Sequence, residues 1–134
     1  MPHRILVVED ERNTRRALVA IFAKQGLIPL EASNASEALE RLNRETDIIC
    51  LDLMLPDRSG VEVLQYVRQQ KLSAKVAVIS GANEPSLLAQ VTALKPDAIF
   101  GKPLDLADFL DWLNSVGIPT SRKLRPETLR RASA

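Results

Sequence analysis

The chain has 134 residues, is 46% hydrophobic and only 4% aromatic, and carries a formal net charge of +1. That length suits one domain, with a core that aliphatic side chains and alanine must fill. No apolar run approaches membrane-spanning length, no basic leader precedes an early apolar stretch, and the single Cys50 excludes an intrachain disulfide, so a soluble, cytoplasmic protein with no membrane partner is expected. The charge is uneven. Residues 1–117 hold 13 Lys/Arg against 16 Asp/Glu, a balance of −3, whereas residues 118–134 hold five against one, or +4. The expected division is a mildly acidic body, 1–117, and a basic tail or linker, 118–134, with the flexibility that scattered Pro, Ser and Arg imply.

Along the body the pattern alternates. Arg4–Glu9 reads as a strand. Residues 12–25 put Thr14, Leu18, Ile21 and Gln25 on one helical stripe beside Ala17 and Phe22, and Gly26 closes that helix. Leu27–Ala32 is a second strand, and Pro29 within it predicts a sheet edge. Asn34 and Glu37 have the spacing of a capping box, opening a helix that buries Ala35, Ala38, Leu39 and Leu42. Asp47–Asp52 is continuously apolar up to its terminal acid, as a strand covered on both faces should be. Ser59 and Glu62 suggest another capping box, before a helix with Val61, Leu64 and Val67 inward.

Lys75–Ser80 is the fourth strand. Pro85 stands near the start of a helix carrying Leu87, Leu88, Val91 and Leu94. Asp97–Gly101 is a short last strand. Asp105–Val116 is a closing helix with Leu106, Phe109, Leu110 and Leu113 inward. Five strand–helix units predict an α/β fold: a doubly wound, five-stranded parallel sheet with five helices. The order 2-1-3-4-5 puts the Pro29 strand at an edge and makes strands 1 and 3 neighbours at the topological switch point.

Ligands of such sheets bind beyond the carboxyl ends of the strands. Glu9 and Asp10 end the first strand and Asp52 ends the third, so one acidic crevice is expected. Three adjacent carboxylates stay ionised only with a compensating cation. Hard oxygen donors that leave room for water suit Mg²⁺. A carboxylate there can attack a phosphoryl group to form an acyl phosphate. Its oxygens then need positive charge and hydrogen bonds. Lys102, after the fifth strand, and Ser80, ending the fourth, offer both.

In this arrangement the chain resembles the receiver domain of a two-component response regulator, over roughly residues 3–117. The resemblance rests on Glu9-Asp10, on the segment Asp52-Leu53-Met54-Leu55-Pro56-Asp57-Arg58-Ser59-Gly60, on Ser80-Gly81 and on Lys102-Pro103. It implies a flavodoxin-like fold with Asp52 as phosphoacceptor. Asp10 would be a direct Mg²⁺ ligand, Glu9 an outer acid acting through water, and the main-chain carbonyl of Met54 a further ligand. Lys102 would pair with Asp52, Ser80 would be the switch hydroxyl, and the Lys102–Pro103 peptide would be cis.

The same resemblance implies a histidine kinase or phosphotransfer protein as phosphoryl donor. A downstream effector would bind the face of helix 4, strand 5 and helix 5, a homodimer is a further option, and this domain would not bind nucleic acid. The protein would be a regulatory switch rather than an enzyme, catalysing only its own phosphoryl transfer and slow loss of phosphate. Two departures from the family pattern stand out. Ile99 occupies the switch position usually held by Tyr or Phe, with Phe100 one step on and facing the other way. Pro96-Asp97-Ala98 replaces the usual Gly-Ala before the fifth strand.

Met54 and Ala82 occupy the positions that flank the attacking water in this family. Neither side chain orients water well, so a long-lived phosphorylated state is expected.

The same residues admit other readings. A receiver-like interaction module that is never phosphorylated is the alternative. The joint presence of Asp10, Asp52, Ser80 and Lys102 argues against it. An aspartyl phosphatase would commonly carry a second Asp where Met54 stands. A flavin protein would need a Gly/Ser/Thr-rich loop after the first strand. Cys50, within an apolar run, reads as a buried structural residue, and Trp112 as part of the core edge.

Overall fold

The computed structural model describes residues 2–81 and 85–120. Five strands alternate with five helices: β1 (Arg4–Val8), α1 (Arg12–Lys24), β2 (Ile28–Ala32), α2 (Ala35–Arg41), β3 (Ile48–Asp52), α3 (Gly60–Gln69), β4 (Lys75–Ser80), α4 (Pro85–Ala93), β5 (Ala98–Gly101) and α5 (Leu106–Ser115). The strands form one parallel sheet in the order β2-β1-β3-β4-β5. Fold class, strand order and the edge position of Pro29 agree with expectation, and element ends differ by a residue or so.

Alternation along each strand divides the core into two layers. Ile5 and Val7 of β1 and Ile48 and Cys50 of β3 pack against Leu18 and Phe22 of α1 and Phe109 and Leu113 of α5. Leu6 and Val8, with Ile49 and Leu51, pack against Ala35 and Ala38 of α2, Leu64 and Val67 of α3 and Val91 of α4. With helices on both faces, β3 is buried along its whole length, which is why its sequence shows no polar alternation. Leu88 of α4 is exposed. Ile118 is buried, and the Thr120 amide donates to Asn114 Oδ1 at 3.1 Å, so the packed body reaches past Gly117. Residues 121–134, most of the basic tail, lie outside the described residues, as does Ala82.

The helix starts differ in detail from the capping boxes read in the sequence. Asn34 Oδ1 accepts from the Glu37 amide at 2.8 Å as expected, but Glu37 reaches back to Ser33, whose amide and hydroxyl both donate to it at 2.8 Å. Ser59 Oγ accepts from the Val61 amide at 3.1 Å, and Glu62 turns outward to Arg58. Gly26 closes α1 with φ 88°, in the left-handed region that favours glycine. Gly60 serves close approach. A Cβ there would lie 2.3 Å from the main-chain oxygen of Asp52, so only glycine lets α3 start against the end of β3.

Candidate functional site

Three strand ends and one loop build the crevice. Register pairs Val8 with Leu51, so Glu9 and Asp52 follow side by side at the ends of β1 and β3. On the other side, Asp52 is opposite Ile79 and Ser80 is opposite Gly101. Lys102 follows β5 and reaches back across β4, its Nζ lying 2.6 Å from Asp52 Oδ2 and 3.5 Å from Glu9 Oε1. The Lys102–Pro103 peptide is cis.

Gly81 makes this crossing possible. A Cβ at that position would stand 3.0–3.3 Å from the Cβ, Cγ and Cδ of Lys102. The other oxygen of Asp52, Oδ1, accepts from the Met54 amide at 3.0 Å. Carboxylate oxygens of Glu9, Asp10 and Asp52 lie within 4.8 Å of one another.

Charge in the crevice is unbalanced. Three carboxylates face a single ammonium, and two of the three acids are buried, with Glu9 only 6% exposed. Burial is the main cause that pushes the Glu9 carboxyl up to about 7. The Glu11 amide opposes that rise, the charge of Asp52 adds to it, and Lys102 relieves it in part. For Lys102, burial acts to lower the pKa, but its hydrogen bond to Asp52 and the charges of Asp52 and Glu9 prevail and raise it. Lys102 is therefore a permanent cation at neutral pH. An excess of hard carboxylate oxygens around one fixed cation suits a divalent ion such as Mg²⁺.

Beside the pair opens a recess of about 400 Å³ lined by Leu18, Ile79, Leu104 and Cys50 among others. The Cys50 thiol is pushed up to about 12, chiefly by burial and then by the charges of Glu9 and Asp52, so it is no nucleophile.

Ser80 ends β4 half-buried, one residue past the register partner of Asp52. Among the described residues no hydrogen bond joins its hydroxyl to Asp52. Ile99 is 45% exposed on β5. Phe100 turns to the opposite face and packs its ring 5.3 Å from Phe109 and 6.0 Å from Trp112. No aromatic ring therefore stands at the exposed Ile99 position on β5.

Three contributors to the site were not read from the sequence. Glu11 caps α1, accepting from the amides of Asn13 and Thr14 at 3.1 and 2.6 Å. Arg15 donates from Nη1 to the carbonyl of Glu9 at 2.9 Å and from Nε to Glu31 at 3.0 Å, tying the acidic loop to β2. Asp57 accepts from the amides of Ala35 and Ser36, both at 2.9 Å, and so clamps the loop after β3 onto the start of α2. Only the Glu11 contact has a sequence signal, an acid just before a helix. The other two join residues 16 and 22 positions apart.

A family model described as "Response regulator receiver domain" matches residues 5–114. The chain belongs to the response regulator receiver domain family. Among curated relatives, sporulation initiation phosphotransferase F of Bacillus subtilis is 27% identical over 112 residues, covering 83% of this chain and 90% of that protein. Chemotaxis protein CheY of the same organism is 25% identical over 116 residues, covering 85% and 97%. Response regulator protein PilR of Pseudomonas aeruginosa is 37% identical over 106 residues, which is 77% of this chain but 23% of PilR. The receiver domain thus spans nearly all of some relatives and about a quarter of others.

In structure, the CheY-like receiver domain protein from Methanospirillum hungatei JF-1 matches with a TM-score of 0.81 at 23% identity, covering 87% of this chain and 94% of that one, which shows the shared fold. Receiver domains are signalling domains activated by phosphorylation, and they work with histidine kinases or phosphotransfer proteins. No helix among the described residues of this receiver domain is long and apolar enough to cross a membrane.

Proposed function

We propose that this receiver domain takes a phosphoryl group onto Asp52 from a histidine kinase or phosphotransfer protein in the cytoplasm. The observation that carries this reading is the Lys102–Asp52 pair, 2.6 Å apart and set among more carboxylates than Lys102 alone can neutralise. Glu9, Asp10, Asp52 and the main-chain carbonyl of Met54 are the groups that would hold Mg²⁺. Once bound, the ion supplies positive charge beside the incoming phosphoryl oxygens.

In the transfer, a carboxylate oxygen of Asp52 attacks phosphorus. A P–O bond forms as the donor's P–N bond breaks, and the leaving imidazole takes up a proton. Lys102 remains beside the acquired negative charge, and the Ser80 hydroxyl, at the adjacent strand end, is the group to bond it. That bond would bias the α4–β5–α5 face, where Ile99 stands exposed. Met54, 49% exposed, has no side-chain group that makes a strong hydrogen bond to an attacking water. The phosphorylated state should therefore persist.

Incubation with Mg²⁺ and a small phosphodonor, followed by intact mass, tests the proposal. A Mg²⁺-dependent gain of one phosphoryl group, absent in Asp52→Asn, is expected. An unmodified wild-type protein would refute it. Loss of the phosphate within seconds would refute the persistence alone.

A further inference from the structure

Away from the Asp52 crevice, a second cavity of about 610 Å³ lies where α1, β2 and α2 meet. Arg12, Arg15 and Arg16 of α1 and Arg41 of α2 line it, together with Glu31 and Glu37. Four guanidiniums against two carboxylates leave the cavity cationic, on a body whose own balance is acidic.

The four arginines fall into two pairs. Arg15 and Arg41 are fixed. Arg15 is held by Glu31 and by the Glu9 carbonyl, and Arg41 donates to the main-chain oxygen of Glu31 and, at 3.3 Å, to Glu37. Glu37 is itself satisfied by the Ser33 amide and hydroxyl, which hold its carboxyl below the usual range. Arg12 and Arg16 stand one helical turn apart and exposed. Among the described residues neither side chain has a hydrogen-bond or ion-pair partner.

The cavity overlies the open edge of β2, a place where an added strand could pair. That use is impeded. The Ile28 amide donates inward to the His3 carbonyl at 2.8 Å, so Pro29 and Glu31 turn their backbone groups outward. Pro29 has no N–H to offer, and Arg41 covers the Glu31 carbonyl. The remaining chemistry is that of four guanidiniums lining one cleft, planar forks that grip phosphate oxygens two at a time.

We propose that the α1–β2–α2 cleft binds a small soluble ligand bearing two or more linked phosphate groups. Arg12 and Arg16 close on it, and Arg15 and Arg41 are already in place. Because Arg15 also holds the Glu9 carbonyl, occupancy of the cleft reaches the loop that carries Glu9 and Asp10. The inference does not depend on Asp52 being a phosphoacceptor.

The test is a titration of the full chain with sodium tripolyphosphate in metal-free buffer at constant ionic strength, following amide and arginine Nε–H resonances. Saturable shifts at Arg12, Arg15, Arg16 and Arg41 are expected. The double variant Arg12→Gln/Arg16→Gln should weaken binding about tenfold or more with its melting temperature unchanged. Shifts that never saturate, shifts centred on Lys102 or on residues 121–134, or unchanged affinity in the double variant would overturn the proposal. So would a glutamate-rich peptide binding the same residues more tightly than tripolyphosphate, which would point to an acidic protein partner.

Discussion

Lys102 Nζ lies 2.6 Å from Asp52 Oδ2, joining residues 50 positions apart and capping a carboxylate that is otherwise buried. The pair does two jobs. It gives the buried Asp52 carboxyl a charged hydrogen-bond partner, and it holds a cation where a transferred phosphoryl group would gain charge. Lys102→Met removes both. It should slow phosphoryl uptake about tenfold or more. It should also cost about 1–3 kcal/mol of stability, below the figure for a fully buried pair because Lys102 is partly solvated. Adding Asp52→Asn should recover most of that stability and none of the uptake. Urea melts of the four-member cycle, with phosphorylation measured by mass, check both expectations.

Glu9 gives a pH signature. Its carboxyl titrates near 7 in the folded protein against an ordinary 4.5, so the folded state binds this proton more tightly than the unfolded chain does. That contribution to stability is complete below pH 4.5 and is lost as pH rises through 7. In metal-free buffer Glu9→Gln should therefore be more stable than wild type at pH 8, by about 1–3 kcal/mol, with the gap closing by pH 4.5. Denaturant melts at the two pH values measure it. Mg²⁺ should stabilise the wild type at pH 8 and do so less in the variant.

Two glycines should respond differently to the same change. Gly60→Ala drives a Cβ against the Asp52 carbonyl, which is backbone and cannot yield, so a stability loss of about 3 kcal/mol or more is expected. In Gly81→Ala the atoms nearest the new Cβ are those of the Lys102 stem, which can move. Stability should change by about 1 kcal/mol or less. Phosphoryl uptake should fall, because the stem moves at the expense of the Asp52 contact. Thermal melts and phosphorylation rates of the two variants separate these outcomes.

Asp57 predicts an acid limb. Burial acts to raise its pKa, but hydrogen bonds from the Ala35 and Ser36 amides and the Ser36 hydroxyl hold the carboxyl well below the usual range. Its contribution is therefore present above pH 3.8 and is lost as pH falls towards the depressed folded value. Asp57→Asn should be less stable than wild type at neutral pH, and the difference should shrink steadily below pH 4. Melts between pH 7 and pH 2.5 follow that convergence. A constant difference across the range would show that charge plays no part in the clamp.

Much of this protein was legible in its sequence. Local periodicity and punctuation determined the five strand–helix units. Pro29 marked the edge strand because a residue without an N–H is a poor ladder partner, and the unbroken apolar run Ile48–Leu51 marked the central one. The rules of doubly wound sheets then put Glu9, Asp10, Asp52, Ser80 and Lys102 at one end of the molecule, since side chains that follow parallel strands emerge together. Tertiary structure alone decided what those groups do to one another. Two acids adjacent in sequence share the crevice but differ in burial, Glu9 covered beside Lys102 and Asp10 exposed at the rim, because a residue's burial depends on which elements cover it.

The Arg15 and Asp57 clamps, the room that Gly81 makes for the Lys102 stem, and the arginine cleft all bring together residues distant in the chain. No local propensity encodes such contacts. They exist only once the sheet has fixed which loops lie side by side.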